Sequence, residues 1–243
     1  MHKNLDLPPP PPLAELVAGR PVALFLDFDG TLVEIADTPG GIAVPADLDA
    51  RLHRLRDRLD GRLAIVSGRS LADLGQFLEV RDLIIVGSHG AEMGEVAAPA
   101  PPISPAGRAR IDDLAHRWPG ILVETKPHGI AVHYRQEPDA APSVFVLMDE
   151  LAESEGLAPR RGKMVVELGP RCTHKGTAVA ALLATPGFEG ATPWFIGDDV
   201  TDEDGFAAVL DGRGHGILVG PQRPTAADFR LDNPTEVHRW LNR

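Results

Sequence analysis

The chain has 243 residues, of which 43% are hydrophobic and 24% charged, a composition suited to a soluble globular protein with a large core. A formal charge of −11 argues against nucleic acid or anionic membrane as the main partner. No apolar run approaches the ~20 residues that a membrane span needs. The single cysteine, Cys172, excludes an intrachain disulfide and fits a reducing compartment, so the cytoplasm is the expected location. Every basic residue other than Lys3, Lys126, Lys163 and Lys175 is arginine. In such a chain each lysine marks a place to look for a site that needs a compact point charge.

The first residues, MHKNLDLPPPPPL, place a proline run where a signal peptide would have its apolar region. Residues 1–20 therefore read as a proline-rich lead, with 1–12 mobile or in polyproline II. VALFL (22–26) is a continuous apolar run at strand length, the pattern of a strand buried on both faces of a parallel sheet. It ends in Asp27, Asp29, Gly30 and Thr31. An EF-hand loop fits poorly, since the glycine comes too early and an apolar strand precedes it. Leu48, Leu52, Leu55 and Leu59 then recur at helical spacing between Pro45 and Gly61. Leu63 to Val66 repeats the strand pattern and ends in Ser67-Gly68-Arg69. Ser70 can cap a helix with apolar positions Leu71, Leu74 and Leu78. Asp82 to Val86 is a third strand, ending in GSHGAEM. Alternating strands and helices with short connections predict a doubly wound parallel sheet with three strand ends at one edge.

AAPAPPISPAG (97–107) reads as a connector at a domain boundary. Ser104 and Pro105 start an amphipathic helix running to about Trp118. ILVETK and GIAVHYR read as a hairpin in which Glu124 and Lys126 share one face, and His133 and Arg135 share another. A helix near Ser143 to Glu155 and a strand at Lys163 to Leu168 complete an α+β insert, residues 97–167. The core is expected to occupy residues 21–96 and 168–243. CTHKGTAVAALLAT predicts a helix with Lys175 near its start. TPWFIG is a strand ending in Asp198, Asp199, Asp202 and Asp204, where Thr201 with Asp204 has the look of a helix N-cap. GHGILVG is a last strand, and Pro234 to Leu241 a closing helix.

Each of these strand-end groups has a structural explanation when taken singly. Together they place hard oxygen ligands, a hydroxyl and an ammonium at one sheet edge. Ligands bind at such edges, and oxygen donors with phosphate are what Mg²⁺ prefers.

The order DFDGT, Ser67, Lys175 and GDDVTDED resembles the haloacid-dehalogenase-like phosphohydrolases. DFDGTL, SGRS, GSHGAE, HYRQ, VVELGPRCTHKG and GDDVTDEDGF together resemble the trehalose-6-phosphate phosphatase family, from Pro21 to Leu241. That resemblance implies an α/β core with an α+β cap and a Mg²⁺-dependent phosphatase acting on a small sugar phosphate. Asp27 is then the nucleophile and Asp29 the acid and base. Ser67 and Lys175 are catalytic partners that bind and neutralise the phosphoryl group. The metal residues are Asp27, Asp29 (main-chain carbonyl) and Asp198, with Asp199 and Asp202 binding the ion either directly or through the ligands around it. Thr31, Arg69, Glu124, Lys126 and Glu167 are candidates for substrate contact. His133 and Arg135 stay open between strand packing and substrate contact, and His89 is expected to be a structural loop residue. His174 departs from the family pattern, where a small polar residue is expected. The expected enzyme is a monomer. The competing readings are a phosphatase for sucrose phosphate or a monosaccharide phosphate, a phosphomutase, and a phospho-accepting receiver-like module. A receiver needs neither an Asp29 acid nor an insert of this size.

Overall fold

The computed structural model describes residues 6–79, 82–93 and 103–242. It divides into two compact units, one drawn from residues 1–95 and 174–243, the other from 96–173. The connector proposed at 97–107 lies outside the described residues as far as Pro102. Residues 168–173, expected in the core, belong to the second unit. The reason is pairing: Leu168 pairs with Ile130 and Pro159, and Gly169 pairs with Ala158.

The described part of the proline lead is held against the first unit rather than free. The Pro8 carbonyl accepts the Arg230 N–H at 3.0 Å, and the Pro11 carbonyl accepts Trp240 Nε1–H at 2.7 Å. Helix α1 (Leu13–Gly19) follows, with Leu13 fully buried. Then come β1 (Val22–Leu26), α2 (Leu48–Arg58), β2 (Leu63–Val66), α3 (Leu71–Leu74), β3 (Ile84–Gly87) and β4 (Glu92–Met93). Ser70 caps α3 as expected, accepting the Asp73 N–H, but the helix stops at Leu74 and does not reach Leu78. Asp82, expected in a strand, has φ +66° and precedes β3 instead.

The second unit contains α4 (Pro105–Arg117), β5 (Leu122–Lys126), β6 (Gly129–His133), α5 (Ala141–Glu155), β7 (Ala158–Gly162) and β8 (Val165–Gly169). Among the described residues its sheet is antiparallel, in the order β5-β6-β8-β7. Ile130, Val132, Val166 and Leu168 pack with Ile111 and Leu114 of α4 and Val144, Met148 and Leu151 of α5. The opposite face carries Glu124, Lys126, Ala131, His133 and Glu167, by alternation along the strands.

The first unit resumes with α6 (Lys175–Leu183), β9 (Thr192–Gly197), α7 (Glu203–Asp211), β10 (His215–Val219), β11 (Phe229–Leu231) and α8 (Pro234–Leu241). Its sheet runs β11-β10-β9-β1-β2-β3-β4, parallel except for β4. Strand β1 lies between β9 and β2, with Leu26 opposite both Ile196 and Ile65. The winding direction reverses between β1 and β9, the crevice where doubly wound sheets bind ligands. Alternation sends Leu24 and Leu26 into one core layer with α2 and α8, and Ala23 and Phe25 into the other with α6 and α7. His238 of α8 contacts the Leu32 carbonyl through Nε2 at 2.9 Å, joining the last helix to the loop after β1. No helix among the described residues is long and apolar enough to cross a membrane.

Leu13 is buried in the same cluster as Leu24 and Leu26. Leu13→Ala should therefore cost about 2–5 kcal/mol in urea unfolding, as a core truncation does. A cost under about 0.5 kcal/mol, the range of surface substitutions, would detach the lead from the cooperative core.

Candidate active site

The site is built where β1, β2 and β9 end. Asp27 follows β1 directly, its N–H bonded to the Ile196 carbonyl at 2.9 Å. Gly30 has φ +75°, and a Cβ there would stand 1.9 Å from Asp198 Oδ2. Glycine is thus required twice over, for the backbone turn and for the approach of the Asp198 carboxylate. At the end of β9, a Cβ on Gly197 would meet the Asp202 carboxyl carbon at 2.3 Å. Asp202 fills that space and is fully buried.

Lys175 begins α6, and its ammonium donates to Asp27 Oδ1 and to Asp202 Oδ1, both at 2.6 Å. The other Asp202 oxygen accepts the N–H groups of Asp198 (2.9 Å) and Asp199 (2.8 Å). Asp202 therefore holds both the β9 loop and the lysine. Burial, and next the Asp202 charge, push the Asp27 carboxyl well above the ordinary carboxylate range; Lys175 pulls it down and Asp198 pushes it up again. Burial also pulls the Lys175 pKa down, but Asp202 and Asp27 outweigh it, so the pKa is raised and the ammonium persists.

Carboxylate oxygens of Asp27, Asp198 and Asp202 lie within 4.8 Å of one another, all buried. Three carboxylates against one ammonium leave an excess of negative charge away from water, which is unfavourable without a further cation. An all-oxygen donor set with that excess fits a hard divalent ion. Asp199 takes a different part: its Oδ1 accepts the Val200 N–H at 2.7 Å and caps the short turn before α7. The cap assigned in sequence to Thr201 with Asp204 is therefore made by Asp199 with Asp202, two residues earlier.

Ser67, fully buried at the end of β2, accepts the Arg69 N–H at 3.1 Å. Arg69 turns to Asp29, with Nε to Oδ2 at 2.6 Å and Nη2 to Oδ1 at 2.7 Å. Thr31 is fully buried, and its Oγ1 has no hydrogen-bond partner among the described residues. The loop after β3 braces this region: the Ser88 N–H reaches the Arg69 carbonyl at 2.7 Å, and the His89 N–H reaches the Ser67 carbonyl at 2.9 Å. Sequence reasoning missed Glu92, a buried carboxylate that accepts the Ser88 hydroxyl and, at 2.9 Å, the Leu71 N–H. Its signal was present in GSHGAE but could not be separated from an ordinary strand acid.

In the second unit Glu124, Lys126 and Glu167 come together. Lys126 pairs with Glu167, and His133 Nε2 meets Glu124 Oε2 at 2.8 Å. Burial pushes the Glu124 pKa up, but the His133 hydrogen bond and the Lys126 charge prevail, and it is lowered. Arg135 lies past the end of β6 and donates to the Lys163 carbonyl, so it does not join this cluster.

A doubly wound core with an aspartate pair after its central strand and a buried lysine on a later helix defines a phosphatase of the haloacid-dehalogenase-like class. Residues 25–235 match the family model for trehalose-phosphatase. A protein of Sinorhizobium fredii described as a probable trehalose-phosphate phosphatase is 39% identical over 84% of this chain and 80% of its own length. The trehalose-6-phosphate phosphatase of Escherichia coli is 35% identical over 90% of this chain and 85% of its own. In fold, the C-terminal domain of C. albicans trehalose-6-phosphate phosphatase superposes with a TM-score of 0.85 at 24% identity, covering 99% of this chain and 98% of that one. The chain belongs to the trehalose-phosphatase family.

Lys175→Met would leave Asp27 and Asp202 buried without their counter-charge, at an expected cost of about 3–5 kcal/mol at neutral pH. A raised native pKa means that Asp27 favours the native state when protonated, and that this contribution is lost as pH rises through that pKa. Without the lysine the loss is larger, so the penalty of the substitution should grow with pH. Urea titrations of both proteins at pH 5 and pH 7.5 measure this, and equal penalties would contradict the charge balance described.

Proposed function

We propose that this protein hydrolyses trehalose 6-phosphate to trehalose and phosphate through an aspartyl-phosphate, the last step in making trehalose. The observation that carries the reading is the buried Asp27–Lys175–Asp202 array, with Asp198 beside it, at the carboxyl edge of the parallel sheet. Asp27 attacks phosphorus in line, forming the acyl-phosphate bond as the bond to the sugar oxygen breaks. Asp29 gives that oxygen a proton. It then takes one from the water that attacks the aspartyl-phosphate, releasing phosphate and restoring Asp27. Lys175 opposes the burial that raises the Asp27 pKa and balances phosphoryl charge. The Ser67 oxygen already accepts an N–H, so its own proton serves a phosphoryl oxygen. The Thr31 hydroxyl, unpartnered among the described residues, is suited to another.

Mg²⁺ is the cofactor proposed, held by the carboxylates of Asp27 and Asp198 and the main-chain carbonyl of Asp29. When bound it supplies positive charge between the anionic nucleophile and the anionic phosphate. Asp202 then serves as the residue that positions Lys175 and the β9 loop, and Asp199 as the cap of the following turn. The second unit, residues 96–173, is the cap domain. Its polar face reads the disaccharide through Glu124, Lys126 and Glu167, since carboxylates bind paired sugar hydroxyls and reject analogues that lack them. His133 belongs to that face through Glu124. The enzyme is taken to work as a monomer in the cytoplasm, consistent with its single thiol.

Phosphate release across trehalose 6-phosphate, sucrose 6-phosphate and glucose 6-phosphate tests the reading. Strong preference for the first is expected, lost in EDTA and restored by Mg²⁺; even rates across the three would discard the disaccharide. Independently of activity, Mg²⁺ at 100 times its dissociation constant should stabilise the fold by about 2.7 kcal/mol. Asp198→Asn should remove most of that gain, and an unchanged gain would place the ion elsewhere. Lys126→Ala and Glu124→Ala should damage turnover of trehalose 6-phosphate far more than that of p-nitrophenyl phosphate. Equal losses on both substrates would remove these residues from sugar recognition.

A further inference from the structure

We propose that Arg69 is the positioning residue for Asp29: its contribution to turnover runs through that carboxylate, not through contact with substrate. The proposal rests on the assignment of Asp29 as the acid and base. Two parallel bonds of 2.6 and 2.7 Å join the guanidinium edge to both carboxylate oxygens. Such a planar fork fixes direction as well as distance, which a lysine cannot reproduce.

Arg69 is the fixed member of the pair. Its side chain is 12% exposed, against 36% for Asp29. The guanidinium carbon lies 5.5 Å from the centre of the Phe77 ring and 5.9 Å from that of Phe28. Its main chain is held at both polar groups, the N–H by the Ser67 hydroxyl and the carbonyl by the Ser88 N–H. Close packing leaves little freedom around these bonds. A Cβ on Gly68 would stand 2.6 Å from His89 Nε2, and one on Gly87 would stand 2.9 Å from the Arg69 carbonyl oxygen.

The brace is itself strained. Ser88 and His89 have consecutive positive φ values of +47° and +54°. Neither is glycine, and such conformations cost of order 1–3 kcal/mol each unless the surroundings impose them. Glu92 helps to impose this one through the Ser88 hydroxyl and the Leu71 N–H. The strained turn, the serine loop and the arginine thus form one support whose exposed end is the Asp29 carboxylate. An acid displaced by about 1 Å loses on the order of 100-fold in rate, so a support of this kind acts on the chemical step.

The test is a double-mutant cycle of Arg69→Ala and Asp29→Asn, read as kcat and KM on trehalose 6-phosphate and p-nitrophenyl phosphate. The second substrate leaves without needing a proton. Arg69→Ala should lower kcat on the sugar phosphate by about 10- to 100-fold. KM and inhibition by inorganic phosphate should change by less than about threefold, and the loss on p-nitrophenyl phosphate should be smaller. In the Asp29→Asn background, Arg69→Ala should cost little more, because residues that act as a unit are not additive. Arg69→Lys keeps the charge without the fork, guards against a folding defect, and should resemble Arg69→Ala in kcat. Equal losses in both backgrounds, or a KM rise shared by both substrates, would overturn the proposal and make Arg69 a phosphate ligand. Wild-type turnover by Asp29→Asn would remove the acid assignment itself, a separate and recognisable failure.

Discussion

One ammonium serves two buried carboxylates in this protein, and the site is organised by that arrangement. Lys175 is held at 2.6 Å from both Asp27 and Asp202, with all three side chains almost wholly out of water. A charge cluster of this kind does not come free: desolvation opposes it, and breaking one arm is worse than never having built it. The core therefore had to supply rigid seats for each member. Gly30 and Gly197 give up their side chains so that Asp198 and Asp202 can close in, and the Asp202 carboxylate spends its second oxygen on the two amides that set the β9 loop.

The parts of this arrangement that a sequence can carry are those written in contiguous residues. VALFL, LAIV and TPWFIG are legible as strands because both faces are buried, which leaves an unbroken apolar run. Acids directly after such a run then point to the sheet edge. Strand β7 escaped notice because APRRG lies at the edge of its sheet, where proline and arginine are tolerated, and no large apolar residue marks its half-buried positions. Strand β11, of three residues, offers too little pattern to register.

At the site, residue types were legible and their division of labour was not. Asp198, Asp199 and Asp202 look alike in GDDVTDED. Only burial under Gly197, and the pairing with a lysine 27 residues away, separates Asp202 from its neighbours. The Asp29–Arg69 fork likewise joins positions 40 residues apart, beyond any periodicity in the chain. Glu124, Lys126 and Glu167 are named together only by the family resemblance. The pairing of His133 with Glu124 depends on strand register, which alternation alone leaves free.

The second unit is spliced into the first between β4 and α6, and no member of the Asp27–Lys175–Asp202 array comes from it. Selection can therefore work on the two parts at different rates. If the insert reads the sugar as proposed, replacing its residues would alter which molecules are accepted while the array at the β1 edge stays intact. A lineage could in this way acquire new substrates by exchanging one excisable block. The converse does not hold, because a change at Gly30 or Gly197 would compromise every descendant whatever insert it carried.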